Sequence, residues 1–248
     1  IALHNLTDVF SGAIGQALGD GGPNWFLTIL YFGWGPIRIG GPEGPPLGVL
    51  FTIVPWIGVM MSGYAFGHVM QMSPDRRRSI CLQVGVALTT LFLALRTLNA
   101  YGDPTPWGDG NMPVALSFLA TTKYPASLLF LLMTLGPMFI LLGLAERWRG
   151  TLVDSTATFG RVPMFYYLLH IPIIHLAACL VSLAREGQVN PWLFGNHPLA
   201  PPPVPDGYMW SLGLLYAVFA ICVVALYFPC RWYAKVRATR RASWLSYL

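Results

Sequence analysis

The chain has 248 residues, of which 55% are hydrophobic and 10% are charged, and its formal net charge is +5 at pH 7. A soluble domain of this length needs more polar residues to cover its surface, so the composition excludes an ordinary soluble enzyme. The apolar residues are concentrated in runs of about 20, which indicates an integral membrane protein. The four cysteines have no CxxC spacing, so neither a disulfide framework nor a zinc site is indicated.

The first 47 residues predict an extracytoplasmic or interfacial segment. The opening "IALHNLTDVFSG" has no initial methionine and is typical of a helix tail, so we expect a fragment of a larger bundle. "NWFLTILYFGW" (24 to 34) is too short to span a bilayer. It fits an interfacial or re-entrant segment with Trp25, Tyr31 and Trp34 at head-group depth.

Continuously apolar runs then predict an all-α transmembrane bundle over residues 48 to 230, followed by a basic tail from 231 to 248. Alternating polarity would favour strands, and it is absent from these runs. Each run is long enough to cross the hydrocarbon core as a helix. The expected spans are 47–70, 79–98, 126–145, 162–184 and 208–228.

Basic residues are concentrated in alternate connections between these spans. The clusters are Arg76, Arg77 and Arg78; Arg147, Arg149 and Arg161; and Arg231, Lys235, Arg237, Arg240 and Arg241. The positive-inside rule places them, and the C-terminus, in the cytoplasm. They therefore indicate membrane topology rather than a nucleic-acid partner, while contact of one cluster with an anionic cofactor or lipid head group stays open.

Ionisable side chains within the spans are candidates for function because they are costly in lipid. Tyr166 and His170 are four residues apart and share a helical face, where they could share a proton or a ligand. A hydrogen bond between helices is the alternative for His170 and also for His175. His68 fits an interfacial anchor, and Arg96 either reaches the outer head groups or lines a polar cavity.

Lys123 and Tyr124 precede the third span, which Pro125 can begin. A cation is unfavourable at a helix N-terminus, so Lys123 calls for a partner. That partner is either a lipid phosphate or an anion or carbonyl in an extracytoplasmic cavity.

His4 and Asp8 would share one face of a helix, as a carboxylate that orients an imidazole requires. Helix capping by Asn5 or Asp8 is the alternative. The sequence has no nucleophile elbow, phosphate loop or metal triad, so we predict no metal cofactor.

Several stretches resemble the C-terminal half of bacterial membrane proteins that carry the heparan-alpha-glucosaminide N-acetyltransferase catalytic-like domain. They are "PWIGVMMSGYAFG" (55–67), "FLATTKYPASLLFLLMTLGP" (118–137), "FGRVPMFYYLLHIPIIH" (159–175), "PPPVPDGY" (201–208) and "CRWYAKVRATRRASWLSYL" (230–248). The resemblance implies a helical acyltransferase of the bacterial inner membrane. Such a protein transfers an acetyl or other acyl group from cytoplasmic acyl-CoA to an amino sugar or glycan on the far side.

The resemblance also implies roles for the candidate residues, with membrane lipids as surroundings and a homodimer as one assembly. His170, Tyr166, Lys123, Tyr124, His4 and Asp8 would serve the transfer, the last two and Lys123 on the acceptor side. CoA phosphates would be bound by Arg76, Arg77, Arg78, Arg147, Arg149 and Arg161. The catalytic histidine of characterised relatives lies in their N-terminal half, which we expect upstream of this chain. The competing hypothesis is a transporter or scaffold for sugars or lipid-linked glycans.

Overall fold

The computed structural model describes residues 3–6, 10, 25–32, 37–38, 44, 46–108, 112–195 and 203–239. The chain divides into two compact units, Ile1–Arg147 and Trp148–Leu248. Each unit is described separately below.

The first unit contains three long helices and several short elements. Its short helix α1 (Trp25–Leu27) continues as a π-helical turn (Thr28–Phe32), and β1 (Ile37–Arg38) pairs antiparallel with β2 (Pro46–Leu47). The long helices are α2 (Ile53–Met70), α3 (Pro74–Leu98) and α5 (Leu128–Ala145), with the short α4 (Val114–Leu119) before α5.

The second unit pairs two long helices. It comprises α6 (Thr151–Arg161), α7 (Pro163–Glu186), the short α8 (Trp192–Gly195) and α9 (Leu212–Thr239). Its buried core joins Val162 to Cys230 and Tyr233, with Phe159 and Phe165 packed against them.

The predicted all-α membrane fold is confirmed. Helices α2, α3, α5, α7 and α9 are each long and apolar enough to cross a bilayer, so the chain is a multi-pass membrane protein. The largest differences from the predicted spans are at helix ends. Helix α3 begins five residues early, at Pro74, because a proline is well accommodated in the first turn. Helix α9 continues through Arg231 and Lys235 to Thr239, into the segment predicted as tail.

Helices α3 and α5 pack closely because glycines face the partner helix. A Cβ atom at Gly85 would lie 2.6 Å from the Ile140 nitrogen, and one at Gly136 would lie 2.9 Å from the Thr89 nitrogen. Gly143 likewise faces Leu82. Small residues let membrane helices approach until their backbones touch, which gains van der Waals contact where burial from water supplies none. We call these residues the glycine seam.

Candidate functional site

The connection from α3 to α5, residues 99 to 127, is organised around the carboxylate of Asp103. Its Oδ1 accepts hydrogen bonds from the Thr105 nitrogen (2.9 Å), the Thr105 hydroxyl (2.6 Å) and the Thr122 hydroxyl (2.9 Å). Its Oδ2 accepts from the Thr122 nitrogen and the Ser127 hydroxyl, both at 2.8 Å. Ser127 in turn caps α5 by accepting from the Phe130 nitrogen. We call this connection the polar loop.

The pKa of Asp103 reflects two opposing effects. Burial raises it, but hydrogen bonds from the Thr105 hydroxyl, from the backbone nitrogens of Thr122 and Thr105, and from Ser127 together lower it below the ordinary value. Asp103 is therefore a carboxylate at neutral pH, and its charge is stabilised by five donors rather than by a cation.

Arg96 holds the polar loop against the end of α3. Its guanidinium is buried, with 1% of the residue exposed. Nε donates to the Phe118 carbonyl (2.9 Å) and Nη1 to the Thr105 carbonyl (3.1 Å). Nη2 donates to the carbonyls of Ser117 (3.0 Å) and Ala120 (2.7 Å). Arg96 therefore neither snorkels nor opens into a cavity, because its donors bind the loop backbone.

The polar loop also anchors the N-terminal residues at the start of α5. His4 Nε2 donates to the Ala126 carbonyl at 2.7 Å, and the Leu128 nitrogen donates to Asn5 Oδ1 at 2.8 Å. Both His4 and Asn5 are buried. Since Nε2 carries the proton in that bond, Nδ1 of the neutral ring is the acceptor atom. Asp8, the predicted partner of His4, lies outside the described residues.

Lys123 is exposed just before this anchor. Its Nζ lies 5.1 Å from the centre of the Tyr124 ring, which supplies a cation–π contact. Tyr124 in turn meets Phe51 edge to face, with ring centres 5.6 Å apart. The structure thus brings together three predicted residues, His4, Lys123 and Tyr124, at one end of the first unit.

Tyr166 and His170 lie on one face of α7, as their spacing predicts. Their rings are nearly parallel, with an angle of 7° and centres 5.8 Å apart. His170 Nδ1 is hydrogen bonded to the Tyr167 carbonyl. Because a carbonyl only accepts, Nδ1 must carry the proton, and Nε2 of the neutral ring has a free lone pair for proton or acyl transfer. Pro172 does not interrupt the helix.

The predicted CoA-binding arginines have different surroundings. Arg77 forms a bidentate ion pair with Glu146, in which Nη2 lies 2.7 Å from Oε2, and it also donates to the Met70 carbonyl. This pair joins the start of α3 to the end of α5. Arg76, Arg147 and Arg149 are exposed, whereas Arg78 is half-buried. Arg161 lines a cavity in the second unit together with Arg231 and Lys235.

Sequence reasoning missed Asp103 and the role of Ser127. The available signal was the "DPT" sequence, since Asp before a proline and a threonine is typical of a turn in which the carboxylate accepts local N–H and O–H groups. The later donors, Thr122 and Ser127, come from the far end of the loop and have no local signature. Among the residues that the structure describes, no three His, Cys, Asp or Glu side chains are arranged to hold a metal ion.

The predicted site residues are divided between the two units. His4, Lys123 and Tyr124 belong to the first, and Tyr166, His170 and Arg161 belong to the second. Comparison with family models, curated proteins and solved structures finds no match to this chain.

Proposed function

We propose that the protein is a membrane acyltransferase that transfers an acetyl or other acyl group from acyl-CoA to an amino sugar or glycan. The proposal extends the resemblance of five stretches of the chain to acyltransferase-like membrane proteins. The single observation that carries it is the orientation of His170, whose Nδ1–H bond to the Tyr167 carbonyl leaves Nε2 as a base within a membrane helix. An ionisable side chain is retained at such a position mainly for function.

His170 would act during attack on the thioester carbonyl. The acceptor nitrogen or oxygen forms a bond to the acyl carbon, its proton passes to His170 Nε2, and the carbon–sulfur bond breaks. The imidazolium then returns the proton to the departing CoA thiolate. Alternatively, Nε2 itself carries the acyl group between donor and acceptor. Tyr166, stacked on the imidazole, keeps the ring in place.

The proposed topology places donor and acceptor on opposite sides of a bacterial inner membrane. The arginine-bearing ends of the long helices and the C-terminus lie in the cytoplasm, where CoA phosphates meet arginines such as Arg76 and Arg147. The polar loop lies on the far side. There Lys123 and Tyr124, with His4 and Asp8, face the acceptor and stabilise developing negative charge.

The test is transfer of label from acetyl-CoA to candidate amino sugars by the purified full-length protein. We expect transfer by the wild type and at least a hundredfold loss in His170→Gln, the scale expected when a general base is removed. His175→Gln is the matched control, because His175 lies on the same helix and contacts Phe194 edge to face. Sugar movement across the membrane without acyl transfer would instead support the transporter hypothesis.

A further inference from the structure

A polar cavity of about 610 Å³ lies between α6 and α9 in the second unit. One face of each helix forms it, because the lining positions recur at spacings of three, four and seven residues. Helix α6 contributes Thr151, Asp154, Ser155, Thr158 and Arg161, and helix α9 contributes Tyr227, Arg231, Ala234, Lys235 and Ala238. We call it the basic cavity.

The charges around the basic cavity are unbalanced. Three cations, Arg161, Arg231 and Lys235, face one carboxylate, Asp154. In the part of the chain that the structure describes, the one ion pair is between Arg77 and Glu146, so none of these cations is paired with a described carboxylate. An anion is therefore needed to balance the cavity.

The cations are held in position by their neighbours. The Arg231 guanidinium lies 5.9 Å from the centre of the Tyr227 ring. At the other wall, the Arg161 carbonyl accepts a hydrogen bond of 2.6 Å from Arg237 Nη1, which ties the end of α6 to α9. Such preorganised guanidinium groups suit planar or tetrahedral oxyanions, and phosphate above all.

An apolar groove of about 190 Å³ runs along the neighbouring helices α7 and α9. Its walls include Ile174, Val218 and Leu226. Phe159 stands between groove and basic cavity, since its ring meets Tyr166 of the groove at 5.4 Å and Tyr227 of the cavity at 6.1 Å. One pair of helices therefore offers a polar, cationic end and an apolar wall.

We propose that the basic cavity binds the phosphate ester of an amphiphile whose apolar tail lies along α7 and α9. The shared chemistry is a phosphate oxyanion held by Arg161, Arg231 and Lys235, with hydroxyl donors from Thr151 and Ser155. An anionic phospholipid and an acyl-CoA both carry such a group. The inference goes beyond the proposed function because the cavity would bind a phosphate ester whichever reaction the protein performs.

The experiment uses full-length protein in phosphatidylcholine nanodiscs and measures binding in two arms. One arm adds spin-labelled phosphatidic acid to the disc, and the other adds CoA to the solution. We expect saturable binding in at least one arm and a loss of about tenfold or more in Arg231→Gln, because a charge-assisted hydrogen bond is lost. Arg231→Lys, which keeps the charge, should retain part of the affinity and shows that the cavity still folds.

Arg185→Gln is the matched control, because it removes one positive charge from the same unit at residues that do not line the cavity. Binding confined to the phosphatidic acid arm assigns a lipid, and binding confined to the CoA arm assigns the nucleotide. Equal affinities in Arg231→Gln and Arg185→Gln, or no saturable binding in either arm, would overturn the inference. Neither readout requires turnover, so failure here and failure of acyl transfer are separate results.

Discussion

Arg96 shows how this membrane protein keeps a charged side chain at the end of a helix without a carboxylate partner. A buried guanidinium is tolerated only when its donors are satisfied. Here four backbone carbonyls accept from it, and all belong to the polar loop. The side chain therefore determines where the loop lies, and the loop positions the start of α5.

We predict that Arg96→Lys lowers the thermal stability of the detergent-solubilised protein. A lysine ammonium has three donors on one atom and cannot reach carbonyls arranged around a planar fork, so at least one buried carbonyl loses its partner. The expected cost is roughly 1–3 kcal/mol, measured as a lower Tm. Arg76→Lys at an exposed position is the control, and equal Tm values for the two variants would contradict this role.

Asp103 makes the stability of the protein depend on acidic pH. Its folded-state pKa lies below the ordinary value of about 3.9, so the unfolded state binds more protons as pH falls through that region. The stabilisation is fully present above about pH 5 and is lost as the pH falls through the folded-state pKa. We therefore expect the Tm of the wild type to fall between about pH 5 and pH 3.

Asp103→Asn separates this effect from general acid denaturation. The amide cannot accept from both the Thr122 nitrogen and the Ser127 hydroxyl on its NH₂ side, so the variant should be less stable at pH 7. Its Tm should also fall less steeply with acid than that of the wild type. Parallel Tm profiles would assign the acid sensitivity to other carboxylates.

At the scale of elements, the glycine seam joins α3 to α5. We predict that Gly136→Ala destabilises the protein, because a methyl group there would overlap the Thr89 backbone 2.9 Å away and force the helices apart. Overpacking of this kind typically costs about 1–3 kcal/mol. Thermal unfolding in detergent, with the yield of monodisperse protein, measures the effect.

Gly63→Ala provides the matched control on α2. No heavy atom lies within 4 Å of a Cβ atom built at Gly63, so the same substitution adds a methyl group without a clash. Alanine is also the better helix former, so its Tm should be unchanged or slightly raised. A loss of stability in Gly63→Ala equal to that in Gly136→Ala would argue against close packing at the seam.

Hydropathy predicted the five long helices because each is determined by its own apolar composition. It did not predict which helices pair, since the glycine seam depends on Gly85 facing Ile140, a contact between distant segments. The same limit applies to the candidate site. The four-residue spacing placed Tyr166 and His170 on one face, whereas Asp103 gathers donors from residues up to 24 positions away.

At the scale of the whole molecule, the proposed topology can be tested with added cysteines at the two ends of α5. Lys123 and Arg147 are both exposed. We predict that an impermeant maleimide added outside intact cells labels Lys123→Cys and not Arg147→Cys, which requires permeabilisation. Three native cysteines are buried and Cys179 is half-buried, so background labelling should be low. Equal labelling of both variants in intact cells would contradict the topology.

The length of α9 has a consequence for how a ligand finds the basic cavity. Its 28 residues extend about 42 Å, beyond a hydrocarbon core of about 30 Å. Arg231 follows Leu212 by nineteen residues, about 28 Å, and so lies where the acyl chains give way to head groups. An amphiphile dissolved in that leaflet already holds its phosphate at this depth. Its search for the cavity would then be lateral diffusion in two dimensions, governed by its mole fraction in the leaflet rather than by its concentration in water.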